Sequence, residues 1–201
     1  AALVEPLACV LNGQNKVNLR QGDTVVILGA GPIGTLHAKL ARLRGAARVI
    51  VSEPNAARRD AALAAGADVV IDPNAGDLRN AIRGETRGLG ADVVICAIGI
   101  PALAAQAVGL AGKGGRVSLF AGFSKGELGS LDVNAIHYEE LRLTGAFGLA
   151  RKDYEDALHM IADGRIDAKS MVTHHYGLRE MDAAFAMAES GGAMKVAIVD
   201  A

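Results

Sequence analysis

A glycine-rich turn between an apolar strand and a helix constrains the fold of this chain more than any other stretch. Thr24–Leu28 is a short, continuously apolar, β-branched run, which is typical of a strand buried on both faces of a parallel sheet. Three glycines follow at Gly29, Gly31 and Gly34, and residues 35–43 have helical character. A strand, a glycine turn and a helix in this order predict a site where a dinucleotide pyrophosphate meets the amino end of the helix.

The three glycines have separate expected roles. Gly29 permits the tight turn, Gly31 lets the backbone approach the phosphates, and Gly34 lets helix and strand pack closely. Pro32 fits the first helical turn, because that turn can dispense with one N–H group. The glycine pattern alone is also found in methyltransferases and in regulatory nucleotide-binding domains.

A carboxylate after the next strand narrows the interpretation. The apolar run Arg48–Ser52 ends in Glu53, which lies 19 residues after Gly34. This is close to the spacing of about 20 residues expected for an acid that binds the adenosine ribose hydroxyls. Glu53 could instead be a solvated loop carboxylate, but the strand–turn–helix–strand register favours ribose binding.

Composition excludes several classes of protein. The chain has 201 residues, of which 51% are apolar and 21% charged, as in a folded globular domain. The formal net charge of −1 gives no reason to expect nucleic acid or an anionic membrane as a partner. Cys9 and Cys96 are too few and too scattered for a disulfide framework or a zinc cluster. There is no bilayer-spanning apolar run and no signal-peptide pattern, so we expect a cytoplasmic protein.

Strand and helix signals alternate along most of the chain. The predicted strands are 24–28, 48–52, 68–71, 92–96, 116–120 and 141–145. This alternation predicts an α/β fold: a doubly wound, parallel, six-stranded sheet with helices on both faces and a ligand crevice beyond the carboxyl ends of the strands.

The two ends of the chain have a different pattern. Residues 1–11 have helical composition interrupted by Pro6, and residues 12–22 are polar and turn-like. Toward the carboxyl end we expect a helix at 152–163, a turn and short strand at 166–173, a helix at 178–189 and a closing strand at 195–199. The closing strand has no obvious place in the six-stranded sheet. It is either an edge strand or part of another domain.

Several local motifs together resemble those of the zinc-dependent medium-chain dehydrogenases, most of all the polyol branch with sorbitol, threonine and butanediol dehydrogenases. The matching segments are 4–9, 29–34, 52–54 with Arg58, 65–68, 72–73, 90–94 and 137–141. The resemblance implies a Rossmann NAD-binding core at 23–148, with residues 1–22 as a connecting helix and 149–201 as helices and a strand that returns to a GroES-like catalytic domain. In that case the chain is one part of a longer enzyme.

The resemblance also assigns cofactor contacts. Gly29, Gly31, Pro32, Ile33 and Gly34 would hold the pyrophosphate. Glu53 would take the ribose hydroxyls. Arg58 would cover the adenine or hydrogen-bond nearby, unless it is a solvated helix charge. The candidates near the nicotinamide are Ala97, Gly99, Ala121, Gly122, Ala146 and Phe147, although each glycine could simply make a turn. Glu53 should repel a 2′-phosphate, so NAD is expected rather than NADP unless Arg58 and Arg59 offset that repulsion.

The resemblance places the main zinc ligands, a Cys and a His–Glu pair, upstream of these residues. Glu5 matches a glutamate near the catalytic metal in the polyol branch, so it is the one candidate metal ligand here; otherwise it caps or solvates a helix end. The histidines are expected to be structural. We therefore expect the 201 residues to contain no catalytic residue, to bind cofactor but no zinc, and to turn over no alcohol or polyol.

The sixth strand is a candidate edge of the sheet, and pairing there predicts a homodimer through 141–147, with a tetramer as the alternative. Two other functions stay open. One is a zinc-free quinone or enoyl reductase, against which the acidic Glu53 argues. The other is a non-enzymatic nucleotide-sensing module, which leaves residues 5–7 and the closing strand unexplained.

Overall fold

Six parallel strands form the centre of the protein, in the order β3-β2-β1-β4-β5-β6. The computed structural model describes residues 2–199. The strands are β1 Thr24–Leu28, β2 Arg48–Ser52, β3 Val69–Ile71, β4 Ala91–Cys96, β5 Ala111–Leu119 and β6 Arg142–Gly145. The predicted α/β architecture with six parallel strands is confirmed. The order reverses between β1 and β4, which is where a doubly wound sheet opens its ligand crevice.

The central strands are buried on both faces. In β1, Val25 and Ile27 pack into one core cluster and Val26 into the other, all with no exposed surface. Leu28 pairs in register with Ser52 of β2 and Cys96 of β4, so these three strands end at the same level. The loops that follow them therefore meet at one edge of the sheet.

Helices cover both faces of the sheet. They are α1 Val4–Lys16, α2 Pro32–Leu43, α3 Ala56–Ala64, α4 Leu78–Glu85, α5 Pro101–Leu110, α6 Val133–Tyr138, α7 Arg151–Ala162 and α8 Met181–Glu189. The side chains of Asn55, Asp77 and Asp132 cap α3, α4 and α6 by accepting backbone N–H groups. In residues 2–199 no helix combines the length and apolar character needed to cross a bilayer.

Two expectations near the amino end and the middle of the chain were wrong. The first helix does not stop at residue 11, because it continues to Lys16. Pro6 does not interrupt it, since Pro6 is the third helical residue, where no intrahelical N–H bond is required. Strand β5 begins at Ala111, earlier than expected, and its pairing with β4 shifts register between Ala111 and Arg116.

The carboxyl-terminal segment also differs from its prediction. The short strand expected within 166–173 lies later, as β7 at His174–Tyr176, and a 3₁₀ turn at Lys169–Met171 precedes it. The closing strand β8, Val196–Ile198, pairs in parallel with β7 in a separate two-stranded sheet. It is therefore not an edge strand of the large sheet.

Helix α1 runs from beyond the carboxyl edge of the large sheet to its amino edge. At its end, the Arg116 guanidinium donates to the carbonyl of Val17 and forms an ion pair of 2.7 Å with Asp23. Gly13 lies against the ring of Phe120, just after β5, where an ideal Cβ would come within 2.6 Å of that ring. At a rise of about 1.5 Å per residue, Glu5 then lies roughly 12 Å further along the helix, beyond the carboxyl edge.

Candidate cofactor-binding site

The three glycines of the turn between β1 and α2 have different surroundings. Gly29 has a φ of +99°, and an ideal Cβ there would lie 3.0 Å from the Ile98 side chain. An ideal Cβ on Gly34 would lie 2.0 Å from the carbonyl oxygen of Gly29, so a larger residue would drive the helix away from the strand. Around Gly31 an ideal Cβ meets nothing within 4 Å. The turn therefore leaves open space beside Gly31, at the amino end of α2.

That open space faces backbone donors. The first hydrogen bond of α2 runs from Thr35 N–H to Gly31 O, at 2.9 Å, so the N–H groups of Ile33 and Gly34 have no carbonyl partner within the helix. Pro32, at the first helical position, has no N–H. The Thr35 hydroxyl donates to the carbonyl oxygen of Ala30 (3.3 Å) and closes the turn. This arrangement suits a phosphate, because a helix amino end carries unpaired donors and partial positive charge.

Glu53 is bound to the glycine turn. Its side chain is only 3% exposed, and Oε2 accepts the N–H of Ala30 at 2.8 Å while Oε1 accepts the N–H of Asn55 at 3.0 Å. The alternative of a solvated loop carboxylate is therefore wrong. Since a carboxylate has about four acceptor positions, Glu53 retains capacity for further donors such as ribose hydroxyls.

Both arginines of α3 are engaged. Arg58 is half-buried and donates to the carbonyl oxygen of Gly191 at 3.1 Å, so it is not a solvated helix charge. Arg59 donates to the carbonyl oxygens of Glu53 (2.8 Å) and Pro54 (2.7 Å). Arg59 also forms an ion pair with Asp72 at 3.2 Å.

The loops after β4 and β5 touch each other. An ideal Cβ on Gly99 would lie 2.1 Å from the carbonyl oxygen of Gly122, so Gly99 is required for this contact. The N–H of Ala121 donates to Cys96 O at 3.1 Å, and the N–H of Ala97 donates to Leu28 O at 3.1 Å. Four of the expected nicotinamide-side residues, Ala97, Gly99, Ala121 and Gly122, thus lie together at the carboxyl edge beside β1.

The loop after β6 joins this edge through α1. Ala146 is half-buried, whereas the side chain of Phe147 is fully exposed. Asn12 donates its side-chain N–H to the carbonyl oxygen of Gly148 at 3.0 Å and so ties the loop to the helix that carries Glu5. Sequence reasoning missed Asn12, because it ended the helix at residue 11. The spacing of Glu5, Cys9 and Asn12, which puts all three on one helix face, was the signal available.

A comparison with protein families decides the class of the chain. A family model described as zinc-binding dehydrogenase matches residues 32–163. The chain belongs to the zinc-binding dehydrogenase family. The resemblance read from the motifs is thereby confirmed.

Individual relatives of this dehydrogenase chain agree. A sorbitol dehydrogenase from Halalkalibacterium halodurans is 34% identical over 198 residues, which cover 98% of this chain and 57% of the relative. A structure described as a zinc-binding dehydrogenase from Sinorhizobium meliloti 1021, bound to NADP, superposes with a TM-score of 0.93 at 35% identity, covering 98% of this chain and 58% of its own. An Escherichia coli CFT073 alcohol dehydrogenase complexed with NADH gives a TM-score of 0.89 at 26% identity, with 98% and 58% coverage. The chain thus spans between half and three fifths of the length of these relatives.

The donors in this dehydrogenase chain do not form a zinc site by themselves. Glu5 is exposed in the first turn of α1 and accepts a hydrogen bond from the Cys9 thiol at 3.4 Å. Burial, together with Glu5, raises the pKa of Cys9 to about 11, so the thiol stays protonated and is a poor metal ligand. Across residues 2–199 no group of three His, Cys, Asp or Glu side chains is placed to hold a metal ion. Glu5 also does not cap α1, because the cap residue is Leu3 and makes no side-chain bond.

His37 of the dehydrogenase chain is a packed histidine. Its ring lies edge-on to Phe120 with centroids 4.5 Å apart, and Gln14 donates to its carbonyl oxygen at 2.9 Å. Burial, followed by the nearby Arg44 charge, lowers the pKa of His37 to about 3. The imidazole is therefore neutral across the physiological range, which agrees with a structural role.

Proposed function

We propose that this chain is the cofactor-binding half of a zinc-type dehydrogenase that transfers hydride between NAD and a polyol or another secondary alcohol. The observation that carries the proposal is the buried Glu53 carboxylate, which accepts the Ala30 N–H of the glycine turn. Beside Gly31 this turn has open space, next to backbone N–H groups that have no partner within the helix. Relatives such as a sorbitol dehydrogenase and a D-arabitol-phosphate dehydrogenase support an alcohol or polyol substrate.

The chain's own part in the reaction is to bind and orient the cofactor. A nicotinamide cofactor, when bound, supplies the hydride chemistry. The turn residues Gly29, Gly31, Pro32, Ile33 and Gly34 would take the pyrophosphate, and Glu53 the adenosine ribose. The contacting loops with Ala97, Gly99, Ala121 and Gly122, together with Ala146 and Phe147, would line the nicotinamide side. Glu5, beyond the same edge, is proposed as an additional metal ligand in a protein that supplies the others.

NAD is proposed as the cofactor because a buried carboxylate at the ribose position disfavours a 2′-phosphate. Relatives of known structure include one bound to NADP and one complexed with NADH, so the preference needs a direct measurement. Titration of the 201-residue chain with NADH and NADPH, followed by fluorescence, should show tighter binding of NADH. Tighter binding of NADPH would contradict the proposed preference.

The cofactor site itself is tested by filling the open space. Gly31→Val should weaken NADH binding by about tenfold or more, because the new side chain occupies the phosphate position. The backbone φ of Gly31 is −68°, and its ideal Cβ meets no neighbour, so the variant should keep its fold and its thermal midpoint.

Gly109→Ala is the matched control for this test. Gly109 lies in α5, its ideal Cβ also meets nothing within 4 Å, and its substitution should leave NADH binding unchanged. If a folded Gly31→Val variant bound NADH as tightly as the parent, the pyrophosphate would not lie at this turn and the proposed function would lose its main support.

Addition of a secondary alcohol, NAD and zinc to the 201-residue chain should yield no NADH. The described donors do not complete a zinc site, and Glu5 is the one ligand that the proposal assigns to this chain. Substantial zinc-dependent turnover by the chain alone would contradict the proposal that it is only the cofactor-binding half.

A further inference from the structure

Arg59 lies against the turn that presents Glu53. Its Nη1 donates to the carbonyl oxygens of both Glu53 and Pro54, so the guanidinium is held within hydrogen-bond reach of the backbone that carries the ribose-site carboxylate. In the proposed cofactor site, this positive charge lies on the side of Glu53 where the adenosine ribose would bind. Left unneutralised, it would favour a phosphorylated ribose.

Asp72 neutralises that charge. It directly follows β3, whose last residue, Ile71, accepts the N–H of Glu53 at 3.0 Å, so the two carboxylates lie on adjacent strand ends. Asp72 Oδ2 lies 3.2 Å from Arg59 Nη1. Its other oxygen, Oδ1, accepts the N–H of Asn74 at 2.9 Å, a local turn that fixes the direction of the carboxylate.

Arg58 does not replace Arg59 in this role. Its guanidinium donates to the carbonyl oxygen of Gly191, in the carboxyl-terminal segment. An ideal Cβ on Gly191 would lie 3.1 Å from the same Nη2 atom, so Arg58 packs closely there. The charge beside the Glu53 turn is therefore that of Arg59.

We propose that Asp72 is a specificity-determining residue, which selects NAD by holding Arg59 in an ion pair and so withholding it from a 2′-phosphate. This inference rests on the proposed cofactor site. Discrimination then has two parts: Glu53 repels the phosphate directly, and Asp72 cancels the nearby positive charge that would otherwise attract it. Asp72 itself does not touch the cofactor.

The test is the ratio of NADPH to NADH affinity in the 201-residue chain and its Asp72→Asn variant. Asparagine keeps the oxygen that accepts the Asn74 N–H but loses the charge. We expect NADPH to bind about two- to fivefold more tightly to the variant, since partly exposed ion pairs are worth up to about fivefold in affinity. NADH affinity should change by less than about twofold. The gain should shrink at 0.5 M salt, where such charges are screened.

Two further variants separate this mechanism from a general effect of charge or stability. Asp60→Asn removes the same negative charge from the exposed face of α3, and should leave the affinity ratio unchanged because Asp60 does not hold Arg59. Adding Arg59→Gln to Asp72→Asn should remove the gain for NADPH. A merely structural role for Asp72 would change the binding of both cofactors together.

The outcomes distinguish the two proposals. If the parent chain binds neither NADH nor NADPH, the proposed function fails. If it binds NADH and the ratio is the same in Asp72→Asn, or changes equally in Asp60→Asn, only the role of Asp72 is overturned. If Asp72→Asn does not fold, the ratio of NADPH to NADH affinity is measured in Asp72→Ser instead, which also keeps an oxygen that can form the turn.

Discussion

At the scale of single residues, function at this site depends on where side chains are absent as much as on where they are present. Gly31 leaves room for a phosphate, Gly34 lets the helix reach the strand, and Gly99 lets two loops meet. Beside this open region, backbone groups hold the side chains of Glu53 and Arg59 in place. If the cofactor binds as proposed, these fixed side chains lie on the ribose side and the open space on the phosphate side, as a preorganised binding site requires.

A buried histidine makes the stability of the chain sensitive to acid. The pKa of His37 is lowered to about 3 in the folded state, while an unfolded histidine titrates near its ordinary value of 6.5. Below pH 6.5 the unfolded chain takes up a proton that the folded chain does not, so His37 reduces stability progressively as the pH falls to about 3. By pH 5 the loss should be roughly 2 kcal/mol.

Urea denaturation between pH 7 and pH 4.5 measures this loss. His37→Gln should reduce the slope of unfolding free energy against pH, even if the variant is less stable throughout. His159→Gln, on the exposed face of α7, should leave the slope unchanged. Equal slopes for the parent and His37→Gln would contradict the assigned burial.

At the scale of elements, the position of α1 is set by contacts at its carboxyl end and within the helix. Its carboxyl end is fixed by Arg116, which reaches from β5 to the carbonyl oxygen of Val17. Its middle is fixed by Gly13 against Phe120, and Asn12 binds the loop after β6. Composition predicted a helix here but not its length, because residues 12–16 look polar until the buried environment of Gln14 is known.

The ion pair of Asp23 and Arg116 should matter more than surface pairs. Both side chains are about one-tenth exposed, so Asp23→Asn leaves a buried guanidinium without its counter-charge and should cost about 3 kcal/mol of unfolding free energy. The exposed pair of Arg151 and Glu155 is the control, and Glu155→Gln should cost less than about 1 kcal/mol. Chemical denaturation of both variants provides the comparison, and equal small losses would show that α1 is not anchored through this pair.

At the scale of the whole molecule, the chain forms two parallel sheets that differ in size and in how much of their surface is covered. The large parallel sheet is covered on both faces, whereas the two-stranded sheet of β7 and β8 packs on α8 and leaves apolar side chains such as Phe185 and Ile198 exposed. This exposed apolar surface is where we expect the proposed catalytic domain to pack. The domain boundaries at 22 and 148 stay predictions.

The outer edge of β6 is the place where we expect two copies to pair. It is the last strand of the sheet, and its neighbour on one side is β5. Sedimentation equilibrium should show a dimer, and Gly145→Lys should weaken it, because lysine on an edge strand opposes edge-to-edge pairing. An ideal Cβ on Gly145 meets nothing within 4 Å, so the change should not disturb the monomer. Gly109→Lys in α5 is the control, and a parent chain that stays monomeric at high concentration would contradict the dimer.

The sequence by itself determined the parts of this protein that depend on neighbours along the chain. The apolar runs of β1 and β2, the proline start of α2, and the spacing from Gly34 to Glu53 are local patterns, and the structure has those strands and that helix start at the positions they predict. The predicted bounds of helix ends and short strands agreed less well with the structure, because burial by distant segments decides whether polar residues continue a helix.

Only the tertiary structure decided which groups meet across the fold. Three contacts join elements that the strand order brings together. They are the hydrogen bonds between Ala30 and Glu53 and between Asn12 and Gly148, and the ion pair between Arg59 and Asp72. The neutral state of His37 likewise depends on its burial under α1. Such contacts follow from which faces pack against each other, and no spacing along the sequence encodes that choice locally.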